Sequence, residues 1–299
     1  MTLYHAGEAA VQQRLGQSAI AERVGRMVRA EIPAAAADFL AEQSMAVVSA
    51  ADDAGRVWAG LITGRPGFLR AEDPRTIMIG ALPASGDPLR EILARPHRIG
   101  MIAVEPQTRR RMRVNGIADP VDFGSQAGLR VPTDQVDSNC PRSIYRLNTA
   151  QARCGPHRAA ARPGGDLDAH TAQVITAADT FFIGSADTDG NADASHRGGN
   201  PGFLQVISPT QLRWPDYRGN SMFMTLGNID VNPHCGLLIP DWRTGSTIQL
   251  TGTARIDWER HDAAGAQCSI DFTVSELVEL TEASPLRWGA AELSPANPA

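Results

Sequence analysis

The residues with chemistry to offer gather between positions 195 and 229. Ser195-His196-Arg197-Gly198-Gly199-Asn200-Pro201-Gly202-Phe203-Leu204 leads into a short apolar span, then Pro215-Asp216-Tyr217-Arg218-Gly219-Asn220-Ser221-Met222-Phe223-Met224. Twice an Arg sits among Gly and hydroxyl or amide side chains, ahead of residues suited to a strand or a core. A buried phosphate asks for such a set: guanidinium forks for its charge, neutral donors, and glycine where backbone must come close. Arg197 and Arg218 are the expected charged partners, Ser195, Asn220 and Ser221 the neutral donors, and Gly198, Gly199 and Gly219 the points of backbone approach. The chain contains no lysine, so every phosphate contact must come from Arg, His, neutral donors or backbone amides. Downstream, Thr247-Ile248-Gln249-Leu250-Thr251 alternates. One strand face then carries Gln249, whose amide can serve a heterocycle or a polar chain. His196 lies inside the cluster and is a candidate contact to cofactor or substrate. His234 has a counterpart in His97 and reads as a structural turn. No Ser-His-Asp order, metal-binding His pair or P-loop stands out, so the catalytic residues stay unknown and no metal is expected.

The elements that must position these residues are short strands. Met45 to Ala50 reads as a strand, Asp52-Asp53-Ala54-Gly55 as a turn and Val57 to Ile62 as the return. Phe181 to Gly184, Asp187-Thr188-Asp189-Gly190 and Ala192 to Ser195 repeat the pattern. Pro66-Gly67-Phe68-Leu69 recurs 135 residues later as Pro201-Gly202-Phe203-Leu204, and Gly116-Ile117-Ala118 recurs 136 residues later as Gly252-Thr253-Ala254. Pro96-His97 answers to Pro233-His234, and Met101-Ile102 to Leu237-Leu238. This internal repeat predicts a mainly β protein with flanking helices, made of two tandem antiparallel barrels. The expected division is a helical segment over 1–43, a first barrel over 44–148, a linker over 149–170, a second barrel over 171–290 and a tail over 291–299. The apolar spacing of Val11, Leu15, Ile20 and Val24 makes the first segment a packing cap. The first repeat lacks the polar equipment. Gly60-Leu61-Ile62-Thr63-Gly64-Arg65 stands opposite Ser195 to Asn200, and Leu82-Pro83-Ala84-Ser85-Gly86-Asp87 opposite the Arg218 cluster. One working site and one degenerate copy follow.

A net charge of −5 leaves no basic footprint, which argues against a nucleic-acid partner. Cys140, Cys154, Cys235 and Cys268 form no CxxC pair and read as reduced thiols, in keeping with a cytoplasmic protein. No signal-peptide pattern is seen, and no apolar span reaches the ~18 residues of a membrane helix, so no membrane partner is expected.

The motifs resemble those of the pyridoxamine 5'-phosphate oxidase-like family of FMN-binding split barrels, and within it the predicted flavin-nucleotide-binding branch. The residues that carry this are His196 to Leu204, Asp216 to Ser221, Leu250-Thr251-Gly252-Thr253-Ala254-Arg255-Ile256 and Leu286-Arg287-Trp288, with Asn139-Cys140-Pro141-Arg142 at the end of the first repeat. The resemblance implies a six-stranded antiparallel split barrel with FMN at a barrel–barrel interface. That interface belongs to a homodimer or, here, to a pseudo-dimer of barrels within one chain. It implies that Arg197, Arg218, Asn220 and Ser221 contact the phosphate and ribityl chain, with Gln249 near the flavin. The implied activity is that of an FMN-dependent oxidoreductase working on a small-molecule substrate or electron donor. An F420-dependent enzyme of the same fold and a non-catalytic flavin carrier or sensor stay open, and a haem-handling role ranks last. The depleted first repeat leads to an expectation of one flavin per chain.

Overall fold

The computed structural model describes residues 3–106, 108, 110–124, 126–139, 146–147, 151–152, 160–261, 263–288 and 291–292. The Cys140-Pro141-Arg142 part of the motif at the end of the first repeat, Cys154, and most of 149–159 and 293–299 lie outside the described residues.

Each half of the chain builds the same sheet. Helices α1 (Ala6–Arg14), α2 (Ser18–Gly25) and α3 (Ala34–Glu42) come first. The first sheet uses β1 (Met45–Ala51), β2 (Val57–Thr63), β3 (Leu69–Asp73), β4 (Thr76–Ile79), then α4 (Pro88–Ile92), β5 (His97–Glu105), β6 (Arg110–Asp122) and β7 (Ala127–Asn139). Three short strands, β8 (Arg146–Leu147), β9 (Gln151–Ala152) and β10 (Ala160–Gly164), lead to α5 (Ala169–Ala177). The second sheet uses β11 (Thr180–Ala186), β12 (Ala192–Gly198), β13 (Gln205–Ser208), β14 (Gln211–Tyr217), then α6 (Met224–Val231), β15 (His234–Asp241), β16 (Ser246–Asp257) and β17 (Ala266–Thr281). Finally β18 (Leu286–Arg287) pairs with β9, and β19 (Ala291–Glu292) pairs with β8.

The strand orders match one for one: β2-β1-β5-β6-β7-β4-β3 in the first half and β12-β11-β15-β16-β17-β14-β13 in the second. All these pairings are antiparallel. The repeat read from sequence is therefore a repeat of topology, two tandem split barrels. Each path counts seven strands where six were expected, and β10 adds to the second by pairing with β17. Both long hairpins shift register at matching points, Asn115/Gly116 and Thr251/Gly252, and such bulges bend a sheet toward closure.

Strand composition explains how the barrels pack. β1 is apolar without alternation because both of its faces are covered. Ala46, Val48 and Ala50 fill the first barrel, while Met45 and Val47 face the other way. β11 does the same, with Phe181 and Ile183 in the second barrel and Phe182 turned outward. The outward residues form one seam cluster of Met45, Val47, Leu61, Ile102, Val104, Phe182 and Leu238, shared by the two barrels. The sheets meet so closely that a Cβ at Gly100 would run into Asp193 Cα, and one at Gly236 would stand 2.6 Å from the Val57 carbonyl oxygen. Among the described residues no helix is long and apolar enough to cross a membrane.

Candidate functional site

A cleft opens at one end of the seam. The second barrel lines it with Ser195, His196 and Arg197 of β12, the turn from Pro215 to Ser221, and the first residues of α6. The first barrel contributes Ile102 of β5 and Arg111 and Arg113 of β6. Ser195, His196, Arg197, Arg218, Asn220 and Ser221 thus come together, as their motifs implied.

The turn is held in an unusual shape. Ser221 has φ 65° and Phe223 φ 60°, a left-handed conformation that costs a non-glycine residue roughly 1–3 kcal/mol and needs support from its surroundings. Asn220 Oδ1 accepts from Met222 N at 3.1 Å. Phe223 then starts α6 with no side-chain cap, so among the described residues no carboxylate or hydroxyl receives the first N–H groups of the helix at that end. That end opens on the cleft.

Charge gathers around it. Arg197 Nε donates to Asp216 Oδ1 at 3.0 Å, and its Nη1 donates to the His196 carbonyl at 3.1 Å. Burial pushes the Asp216 carboxyl above the usual range even with Arg197 beside it. Arg218 is exposed and makes no hydrogen bond or ion pair among the described residues. Arg113 is buried, ion-paired to Asp193, with Asp137 at 3.9 Å and Met224 Sδ at 2.7 Å. Burial opposes its charge, and the neighbouring carboxylates outweigh that burial. Glu8, from α1, also adds to that environment, and burial pushes it up to about 7. His196 is buried edge-on to Phe182, 5.4 Å between ring centroids. Burial, with Arg111 and Arg197 nearby, drives its pKa well below 6.5, so it is a neutral imidazole at pH 7.

Three sequence expectations change. Gln249 is not in the cleft. It is fully buried across the seam, where Nε2 donates to the Ala59 carbonyl at 2.9 Å and to Asp87 Oδ2 at 3.1 Å. The second barrel's β16 faces the corner of the first barrel, whereas β6 of the first barrel faces the cleft. Gly199 does not line the cleft either. Its N–H goes to the Asp179 carbonyl at 3.1 Å, and it is glycine because a Cβ would overlap the Phe203 ring. The hydroxyl protons of Ser195 and Ser221 are committed to Asp193 Oδ2 at 3.0 Å and Gln17 Oε1 at 2.5 Å, which leaves both oxygens as acceptors rather than donors. Sequence reading missed Arg111, Arg113 and Gln267. The repeat offset that aligns Gln249 with Arg113 was the available signal, once the barrels are taken as facing each other. The remaining cysteines, Cys235 and Cys268, are buried thiols whose pKa burial raises, and they take no part in the cleft. No group of residues suited to a metal ion occurs among the described residues.

Fold and cleft together define a tandem split barrel with an arginine-lined cleft at its seam. Residues 167–275 match the family model described as pyridoxamine 5'-phosphate oxidase. The match falls on the second barrel, and the first barrel repeats its strand order. No curated protein matches the chain. Similar solved structures include HupZ of Group A Streptococcus, with 12% identity, TM-score 0.31, and 36% of this chain and 90% of that chain covered. An FMN-binding protein from Syntrophomonas wolfei shares 8% identity at TM-score 0.27, covering 36% and 86% of the two chains. The FAD binding protein of Mycobacterium smegmatis shares 15% identity at TM-score 0.27, covering 36% and 94%.

Proposed function

We propose that the cleft binds flavin mononucleotide and that the chain is an FMN-dependent oxidoreductase acting on a small molecule. The observation that carries this reading is the uncapped N-terminus of α6 with Arg197 and Arg218 beside it. A helix N-terminus favours an anion through its aligned N–H dipoles, and guanidinium groups add charge and fork geometry for phosphate oxygens. The donor set fits an acceptor-rich ligand. Among the described residues Gln267 Nε2 is buried at the cleft without a hydrogen-bond partner, and exposed Arg218 makes no ion pair that would keep it from turning inward. The acceptor oxygens of Ser195 and Ser221 suit hydroxyls such as those of a ribityl chain.

In this reading Arg197 and Arg218 hold the phosphate, while Asn220 and Ser221 meet the ribityl chain. Phe203, Phe223, Leu226 and Ile102 give the cleft apolar walls that keep water from a flat ring. FMN, when bound, supplies hydride or electron transfer. Arg111 brings positive charge to the cleft wall, Arg113 is already ion-paired with Asp193, and neutral His196 can accept or donate one hydrogen bond without adding charge. Both barrels needed for the cleft lie in one chain, so the intrachain pair replaces a homodimer and one flavin binds per chain.

The test is the visible absorption of freshly purified protein, with mass analysis of what denaturation releases. A flavin spectrum with the mass of FMN, bleached by NADH or NADPH, supports the whole proposal. Bound FMN that no donor reduces keeps the site and removes the oxidoreductase. F420 displacing FMN would change the cofactor, and no binding of either at micromolar concentration sinks the reading.

A further inference from the structure

We infer that the N-terminal segment is part of the ligand site, because Gln12 and Gln17 hold the Asn220–Phe223 turn in the shape that presents the α6 N-terminus to an anion. The inference rests on the phosphate reading of the cleft. By sequence this segment is only a packing cap. In the fold α1 lies directly on α6, and glycine is needed on both sides of the crossing. A Cβ at Gly7 would overlap the Gly227 carbonyl oxygen, and one at Gly227 would stand 2.5 Å from Glu8 N. This close contact brings two glutamine amides behind the turn. Gln12 Nε2 donates to the Met222 carbonyl at 3.1 Å. Gln17 Oε1 accepts from Ser221 Oγ at 2.5 Å, and its Nε2 donates to Gln267 Oε1 at 3.1 Å.

These contacts fall where the backbone needs them. Ser221 and Phe223 both have positive φ, and Met222 lies between them. Two strained residues so close together persist only where their neighbours over-determine them. Within the turn Asn220 Oδ1 accepts from Met222 N, but the Phe223 side chain offers no polar atom with which to cap α6. Gln12 and Gln17 are both buried, so their amides are not competing with water for these partners. Through Gln267, Gln17 also fixes a side chain that lines the cleft. Gln12 and Gln17 are therefore positioning residues, acting on a ligand through Ser221, Met222 and Gln267.

Gln12→Met and Gln17→Met keep the side-chain length and remove the hydrogen bonds. In ligand-free protein, amide hydrogen exchange should speed up at 221–226 while the strands keep their protection. FMN affinity should fall roughly five- to thirtyfold in each variant, the loss expected for a buried hydrogen bond with its partner left unsatisfied. In a Ser221→Ala background, Gln17→Met should add little, because its main partner is already gone. Unchanged exchange at the turn overturns the inference, as does faster exchange throughout the barrel. So does a loosened turn with wild-type FMN affinity, or full additivity with Ser221→Ala. A wild type that binds no FMN would sink the flavin reading, and the exchange pattern alone would then decide the clamp.

Discussion

The two corners of the seam start from matching positions and end differently. In the first barrel, α4 begins after Asp87, whose Oδ1 accepts from Leu89 N at 2.9 Å. Gly60 on β2 makes room for that carboxylate, since a Cβ there would stand 2.6 Å from Asp87 Oδ2. Gln249 reaches over from the second barrel and donates to the same oxygen. In the second barrel Phe223 occupies the place of Asp87, Ser195 that of Gly60, and Arg113 of the facing barrel that of Gln249. The first corner carries its own anion on its helix and meets it with an amide. Among the described residues the second has no anion on its helix's first turn, and guanidinium groups line the cleft there. A helix N-terminus is stabilised by negative charge wherever that charge comes from. One barrel has built it in; in the proposed reading the other takes it from a ligand.

The strongest way to break this comparison is to remove the two seam-crossing side chains in turn. Arg113→Met leaves Asp193 buried without its ion-pair partner, and should lower unfolding free energy by about 3–5 kcal/mol in denaturant titrations. Gln249→Met removes a hydrogen bond to the Ala59 carbonyl and one to the Asp87 carboxylate but no charge, and should cost about 1–3 kcal/mol. Equal losses would mean that the corners are electrostatically alike. The next test gives the second corner the first corner's device. Phe223→Asp places a carboxylate at the α6 N-terminus, and Phe223→Asn makes a similar loss of apolar bulk without charge. FMN should bind roughly a hundredfold more weakly to the aspartate than to the asparagine variant, because like charges set against each other cost several kcal/mol. Equal affinities would show that the phosphate sits elsewhere.

Much of this was readable in the sequence, and what was not has a physical cause. Strand hairpins, turn glycines and the offset of about 136 are local or periodic signals, and they led to the barrels. Arg197 and Arg218 announced themselves because guanidinium beside glycine is a local pattern. Gln249 misled because alternation tells which residues share a face, not what that face meets. The face belongs to the seam, and a two-fold arrangement sends each barrel's β6 or β16 residue to the other barrel's corner. Arg113 lay hidden in Arg109-Arg110-Arg111-Met112-Arg113, where a run of arginines reads as solvated surface. Gln12 and Gln17 gave no signal at all, since a polar residue on an amphipathic helix becomes informative only once its partner 204 or more residues away is known.

Arg218→Ala separates binding from folding. The side chain is exposed and unpaired among the described residues, so the melting transition should stay within about 0.5 kcal/mol of wild type. FMN affinity should drop roughly tenfold or more with the loss of a charge-assisted contact, and the loss should shrink as salt is raised. A large stability change would place Arg218 in the architecture instead.

The gentlest test lies in the first corner and turns on pH. Burial pushes the Asp87 carboxyl from 3.8 up to about 6, against the Leu89 N–H and Gln249 amide that favour its ionised form. The folded chain therefore holds this proton more tightly than the unfolded chain does. Stability from the protonated form is full below about pH 4 and is lost as pH rises through about 6; beyond that the buried carboxylate costs of order 3 kcal/mol. Asp87→Asn keeps an N-cap of similar quality and does not titrate. Its amide can also donate to Gln249 Oε1, which is buried without a partner. The variant should match wild type near about pH 4, gain on it through about pH 6, and hold a constant lead above, with FMN affinity unchanged. A lead that does not vary with pH would mean that Asp87 is solvated, and the first corner would no longer count as an anion site filled from within.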